Sequence, residues 1–189
     1  MTPRQTRSDA VANRDRILAV AREAFADARD TSLTAIARQA GVGIGTLYRH
    51  FPTREALVIE LYRRDIQQVI DRAPALLATR PPLEALRAWF EEVAHYGRLK
   101  YGIAEVVHAV TDGGLDDPFY DPFVHAIGML LDAGAAEGRL KAGLDPEDVL
   151  FQLSVLWKIN PAKYTDARAS RLLDLIIDGL RVPAAGSNH

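Results

Sequence analysis

Five histidines, five serines and one glycine-rich run are where this chain has residue types suited to chemistry, and spacing removes most of them. Ser8, Ser32, Ser154, Ser170 and Ser187 lie in capping, tail or helix contexts, and none sits in the GxSxG turn of a hydrolase nucleophile. The histidines form neither HxxxH nor HExxH. Glu105 and His108 stand one helical turn apart with Asp112 nearby, an incomplete ligand set that serves more often as a hydrogen-bonded pair, so no metal is expected. Asp112, Asp116, Asp117 and Asp121 lack the spacing of a calcium loop. Gly41-Val42-Gly43-Ile44-Gly45 reads GxGxG after a helical pattern, whereas a dinucleotide site needs GxGxxG after a strand, so no cofactor is expected either. The absence of cysteine excludes thiolate metal sites, disulfides and a cysteine nucleophile. An enzyme has no positive feature to rest on.

One cluster survives. Thr46, Tyr48, Arg49 and His50 follow the glycine run, with Arg54 close behind. Hydroxyls and guanidinium groups at that density suit phosphate oxygens, and Arg can also take a guanine edge with two hydrogen bonds. The net charge of −2 argues against a nucleic-acid partner only while it is taken as a total. Residues 1–64 hold eleven arginines and seven acids, a net of +4, which leaves −6 for residues 65–189. Every cation of the first segment is Arg, and the four lysines (Lys100, Lys141, Lys158, Lys163) come later. Charge asymmetry of this kind also occurs on solvated helices, so by itself it favours nucleic acid weakly.

The elements that must position this cluster are helices. Ile17, Val20, Ala21, Ala24 and Phe25 repeat with helical period, predicting a first helix from near Asp9 to near Ala28. Thr31-Ser32 is a capping signal for a short second helix ending at Gly41. A third, Thr46 to Phe51, is closed by Pro52, and Thr53 caps a fourth that Pro74 should stop at about Ala73. Residues 83–100 carry Leu83, Leu86, Trp89, Phe90, Val93 and Tyr96 on one broad face. Shorter helices are expected over 102–111 and about 121–137. Asp145-Pro146-Glu147-Asp148 opens another, to about Trp157. The last covers about 166–181, and its apolar surface is wider than one stripe. With 48 % hydrophobic residues and no β alternation, the expectation is an all-α fold of about nine helices. No run reaches the roughly 18 apolar residues of a spanning helix, and polar Met1–Val11 is not a secretory signal, so no membrane and a cytoplasmic location are expected.

Two short helices joined by a tight glycine turn, Ile36 to Phe51, fit a helix-turn-helix whose second helix presents Thr46, Tyr48, Arg49 and His50 to a major groove. Leu47 and Phe51 should point into the core. The 25-residue run Leu33–Leu57, LTAIARQAGVGIGTLYRHFPTREAL, resembles the DNA-binding signature of TetR-family transcriptional regulators. The layout is similar too: a three-helix reader, a connecting fourth helix and a divergent helical body. The resemblance implies a ligand-responsive repressor, with a DNA-binding domain over 1–53 and an effector-binding and dimerisation domain over 54–189. It implies DNA contacts by Thr46, Tyr48, His50 and Arg54, and by Ser32, Thr34, Gly45 and Arg49. The chain departs from the family in the loop Asp27-Ala28-Arg29-Asp30, which lacks the usual Gly.

The partners so implied are double-stranded operator DNA, a small organic effector and a second copy of the chain, paired through the last two helices (about 145–157 and 166–181). Aromatic residues at helical spacing are ordinarily core. The family layout nevertheless implies a cavity among the middle helices, with Trp89, Tyr96, His108, Met129 and Trp157 as its expected lining. Two other classes stay open at this level: a helical scaffold whose basic end is incidental, and a small-molecule enzyme. Salt-dependent, sequence-specific DNA retention separates the first from a regulator, and turnover without DNA binding would mark the second.

Overall fold

The computed structural model describes residues 3–27, 31–101, 119–158 and 166–183. Among them are eight α-helices: α1 (Pro3–Asp27), α2 (Leu33–Gln39), α3 (Ile44–His50), α4 (Arg54–Leu77), α5 (Pro82–Tyr101), α6 (Tyr120–Ala136), α7 (Pro146–Ser154) and α8 (Asp166–Leu180). A 3-10 turn, Val155–Lys158, continues α7. The one β feature described is an isolated bridge between Leu140 and Arg181. The expected helix over 102–111 and the loop 28–30 lie outside the described residues.

Two helix boundaries differ from expectation by a full turn or more. α1 begins at Pro3 rather than near Asp9. Residues 3–8 have no apolar period to reveal them, but a helix nucleated elsewhere extends at little cost through polar residues, and Pro is favoured as the first helical residue. α4 runs through Pro74 to Leu77 instead of stopping at Ala73. An internal Pro costs about 3 kcal/mol through a lost hydrogen bond and a ring clash. Here Pro74 is exposed while Ala73 and Leu76 on either side are buried, and their burial holds the last turn in place.

Contacts divide the described residues into two units that meet between Arg64 and Asp65, within α4. In the first, α1, α2 and α3 pack on one another. Ile17, Leu18, Ala21, Ile36, Ala37, Leu47, Phe51, Leu57 and Leu61 form its core, with Phe25, Leu33 and Val42 packed against it. Arg14 reaches Glu60 at 2.7 Å and Arg64 reaches Asp15 at 2.7 Å, joining α1 to the start of α4. Such half-exposed pairs contribute little each, so the apolar cluster carries the stability.

In the second unit α5 is the central element, in contact with α6, α7, α8 and the 3-10 turn. Leu86, Trp89, Phe90 and Val93 on α5 are fully buried, and Phe123, Ile127 and Leu130 of α6 are buried as well. Asp145 caps α7 by accepting from the Glu147 backbone N–H at 2.8 Å, ahead of Pro146 at the first helical position. Beyond α6 the chain doubles back so that Leu140 lies over Gly134, where an added Cβ would stand 2.3 Å from Leu140 Cδ1. Residues 139–141 then pair with the end of α8: the Lys141 N–H donates to the Leu180 carbonyl and the Val182 N–H to the Arg139 carbonyl.

Candidate nucleic-acid interface and effector-binding helices

The reader is built from short-range rules. Ser32 has extended backbone and accepts the Ala35 N–H at 3.2 Å, capping α2. Thr31 donates its hydroxyl to the Ala24 carbonyl at 3.2 Å, tying the entry of α2 to α1. α2 ends on Gly41 at φ 66°, with the Gly41 N–H on the Arg38 carbonyl and the Val42 N–H on the Ala37 carbonyl. That pair of bonds is the Schellman termination, and its left-handed residue disfavours any side chain with a Cβ. Two residues later Gly43, with extended backbone, is the N-cap of α3. Phe51 leaves the helix with φ −136°, and Thr53 caps α4 by accepting the Ala56 N–H at 3.1 Å. Glu55 in that first turn has its carboxyl held below the ordinary value, by its own backbone N–H first and then by the Thr53 hydroxyl.

Burial sorts the side chains of α3. Leu47 is fully buried and Phe51 nearly so, as their place in the periodicity requires. Tyr48 is 48 % exposed and Arg49 is exposed, while Thr46 and His50 are half-buried at the edges of the outward face. Ser32 and Thr34 are exposed at the start of α2, and Gly45 is exposed in the first turn of α3. The His50 ring lies 6.2 Å from the Phe51 ring. Arg54 is half-buried, its guanidinium 4.8 Å above the Phe25 ring, a cation–π contact that steadies α4 against α1. Arg14 covers the Phe51 ring in the same way at 5.4 Å. The residue pattern predicts a third helix from Thr46. The structure begins it at Ile44, which is 40 % exposed and joins the outward surface.

Of the five residues expected to line an effector cavity, three have described side chains. Trp89 is fully buried, its indole N–H donates to the Val69 carbonyl at 2.7 Å, and its ring lies 5.0 Å from that of Phe123. Tyr96 is buried on α5, and Met129 is half-buried on α6, which packs against α5. Trp157 falls in the 3-10 turn with its side chain outside the described residues, as is all of His108. Of the alternative metal and acid clusters, Glu105, Asp112, Asp116 and Asp117 also lie outside, and Asp121 is exposed. Among the described residues no three His, Cys, Asp or Glu side chains gather as a metal site, and no helix is long and apolar enough to cross a membrane.

Comparison with known proteins follows the same division. Residues 17–61 match the family of bacterial regulatory proteins described as tetR, and residues 81–182 match the SbtR-like transcriptional regulator C-terminal domain. A TetR transcriptional regulator of Streptomyces coelicolor is 42 % identical, covers 90 % of this chain and 99 % of its own, and superposes with a TM-score of 0.73. A TetR regulatory protein of Mycobacterium vanbaalenii is 32 % identical over 94 % of this chain and 99 % of its own, with a TM-score of 0.72. An HTH-type transcriptional regulator of Staphylococcus aureus is 38 % identical over 66 residues, and the chain spans only 36 % of that relative's length. These relatives are regulators of transcription rather than enzymes. With a helix-turn-helix reader matched at one end and a regulator body matched over most of the rest, the chain belongs to the TetR family of bacterial transcriptional regulators.

Proposed function

We propose that this regulator is a homodimeric repressor that grips operator DNA through residues 32–54 and lets go when a small organic effector binds among the helices of its second unit. The domains would be a reader over 1–53 and an effector-binding, dimerising body over 54–189. The observation that carries the DNA side is the split of α3, with Leu47 and Phe51 buried while Tyr48 and Arg49 stand in solvent. Tyr48, Thr46, Ser32 and Thr34 are suited to phosphate oxygens, Arg49, Arg54 and His50 to phosphate or base edges, and Gly45 to close approach of the backbone.

Dimerisation is supported by Phe151, Val155 and Leu175, which are 64 %, 43 % and 70 % exposed on α7, the 3-10 turn and α8. Two readers held by such an interface would meet successive major grooves about 34–36 Å apart. An effector that binds better to another spacing shifts the population away from DNA, and DNA weakens effector binding by the same factor. α4 is the candidate transmitter, since its residues belong to both units.

Mobility shift on the DNA upstream of the protein's own gene tests the reading. Tyr48→Ala and Arg49→Ala should each bind about tenfold or more weakly with unchanged melting temperature, and Arg49→Ala should lower the salt slope by about one. Wild-type binding by both variants sinks it. For the effector side, Trp89→Phe and Met129→Ala are better probes than Trp89→Ala. Emptying a fully buried Trp site costs about 3–5 kcal/mol of stability and confounds the response.

A further inference from the structure

We infer that Ile44 reads a thymine methyl group, so that this one aliphatic side chain sets a T·A preference at one position of each operator half-site. The inference rests on α3 being the DNA-reading helix, and deepens that reading. Ile44 is the first residue of α3 and is 40 % exposed, although it is as apolar as Leu47, which the same helix buries completely. It lies one turn before Tyr48, itself 48 % exposed, so the two form a single outward stripe of i, i+4 neighbours. The unit's own packing does not account for that placement, since the apolar core closes over Val42 and Leu47 on either side of Ile44.

Gly43 and Gly45 flank Ile44, and neither has positive φ. An added Cβ at Gly45 would meet nothing within 4 Å, and at Gly43 only Thr46 Oγ1 at 4.0 Å. Neither backbone geometry nor internal packing therefore asks for glycine at these positions. What the two glycines do is clear the ground around Ile44, so that the first turn of the helix can approach an outside surface closely with one branched aliphatic group projecting. The residues of a recognition helix nearest its N-terminus are those that meet base edges. Among the groups that the four base pairs offer in the major groove, the thymine C5-methyl is the one aliphatic feature, and it pairs with apolar side chains. Ile44 has neither donor nor acceptor, so it has nothing to offer guanine, cytosine or adenine edges.

The test selects binding sites from randomised duplex DNA with the full-length protein, then replaces each selected thymine by deoxyuridine, which removes the methyl and nothing else. Replacing that thymine in one half-site should raise the wild-type Kd about fourfold, the value of one buried methyl-sized group. Ile44→Ala should bind the thymine site correspondingly more weakly, keep the wild-type salt slope, and show no further loss on deoxyuridine substitution at that thymine. Gly45→Ala should melt no lower than wild type yet bind more weakly at every sequence. Selected sites in which no methyl matters, or a deoxyuridine penalty that persists in full in Ile44→Ala, overturn the inference and leave DNA reading by α3 intact. Failure to select any sequence overturns both.

Discussion

In the proposed reading the Ser32 hydroxyl would serve the fold and the DNA together. Its oxygen accepts the Ala35 N–H at the cap of α2, while the side chain stays exposed. A hydroxyl has one proton and two lone pairs, so capping leaves the proton for a phosphate oxygen. Ser32→Asp separates the two roles. Asp caps as well as Ser, so the melting temperature should hold within about 2 °C, but its charge repels phosphate and DNA affinity should fall several-fold. Unchanged affinity would remove Ser32 from the contacts. Arg54 lays its guanidinium over the Phe25 ring, so Arg54→Lys should lose that stacking as well as the two-bonded phosphate contact proposed for it.

At the scale of elements, the helix ends are where side-chain chemistry fixes geometry. Glu55 at the start of α4 is held below its ordinary pKa by its own backbone N–H and by Thr53, with Arg54 assisting and desolvation opposing. A carboxylate whose folded-state pKa is depressed adds stability above the unfolded-state value and loses it as pH falls through the folded-state value. Glu55→Gln should therefore lower the melting temperature at about pH 7 and leave it unchanged at about pH 2, where both proteins are uncharged at this site. An equal difference at both pH values would assign the effect to packing instead. The turn after α6 depends on the missing Cβ of Gly134, since Leu140 Cδ1 and Cγ would stand 2.3 and 2.6 Å from it. Leu140 is 1 % exposed with little room to retreat, so Gly134→Ala should cost about 1–3 kcal/mol in thermal or urea unfolding. A variant as stable as wild type would mean that Leu140 can turn aside. α4 marks the limit of element-level reasoning: Pro74 is a stop signal in isolation, and the helix passes it because Ala73 and Leu76 are buried.

At the scale of the whole molecule, the exposed apolar residues of α7 and α8 ask for a partner. Leu175 at 70 % and Phe151 at 64 % exposure contribute nothing to the core of their own chain, so replacing them leaves the single chain's stability nearly unchanged. Leu175→Glu should place two like charges in the expected dimer interface and shift the protein to monomer in light scattering. DNA affinity should fall with it, because one reader then binds alone. A Leu175→Glu protein that stays dimeric would move the interface elsewhere. The charge pattern belongs to this scale as well. The first 64 residues carry +4 and the remainder −6, so the basic end is drawn to phosphate while the acidic remainder is repelled from it.

Most of the described helices are legible in the sequence alone. Ser32, Gly41, Thr53, Asp145 and Pro146 each act on backbone groups within a few residues, and the 3.6 period of Ile17, Ala21 and Phe25 is likewise a local property. The reader was legible for the same reason, being almost wholly made of such local signals between Leu33 and Leu57. What the sequence by itself determined, then, was where most of the described helices lie and which end of the chain carries the DNA-binding motif. Tertiary structure decided which apolar side chains are core and which are surface. Ile44 and Leu47 lie three residues apart on α3, as Leu172 and Leu175 do on α8, yet Leu47 is buried while Ile44 and Leu175 are exposed. It also decided that the Trp89 indole is spoken for by the Val69 carbonyl, a bond between residues 20 apart. Hydrogen bonding in a helix is set by neighbours along the chain, whereas burial is set by whatever distant segment packs on top, which local periodicity marks for Leu47 but not for Ile44 or Leu175.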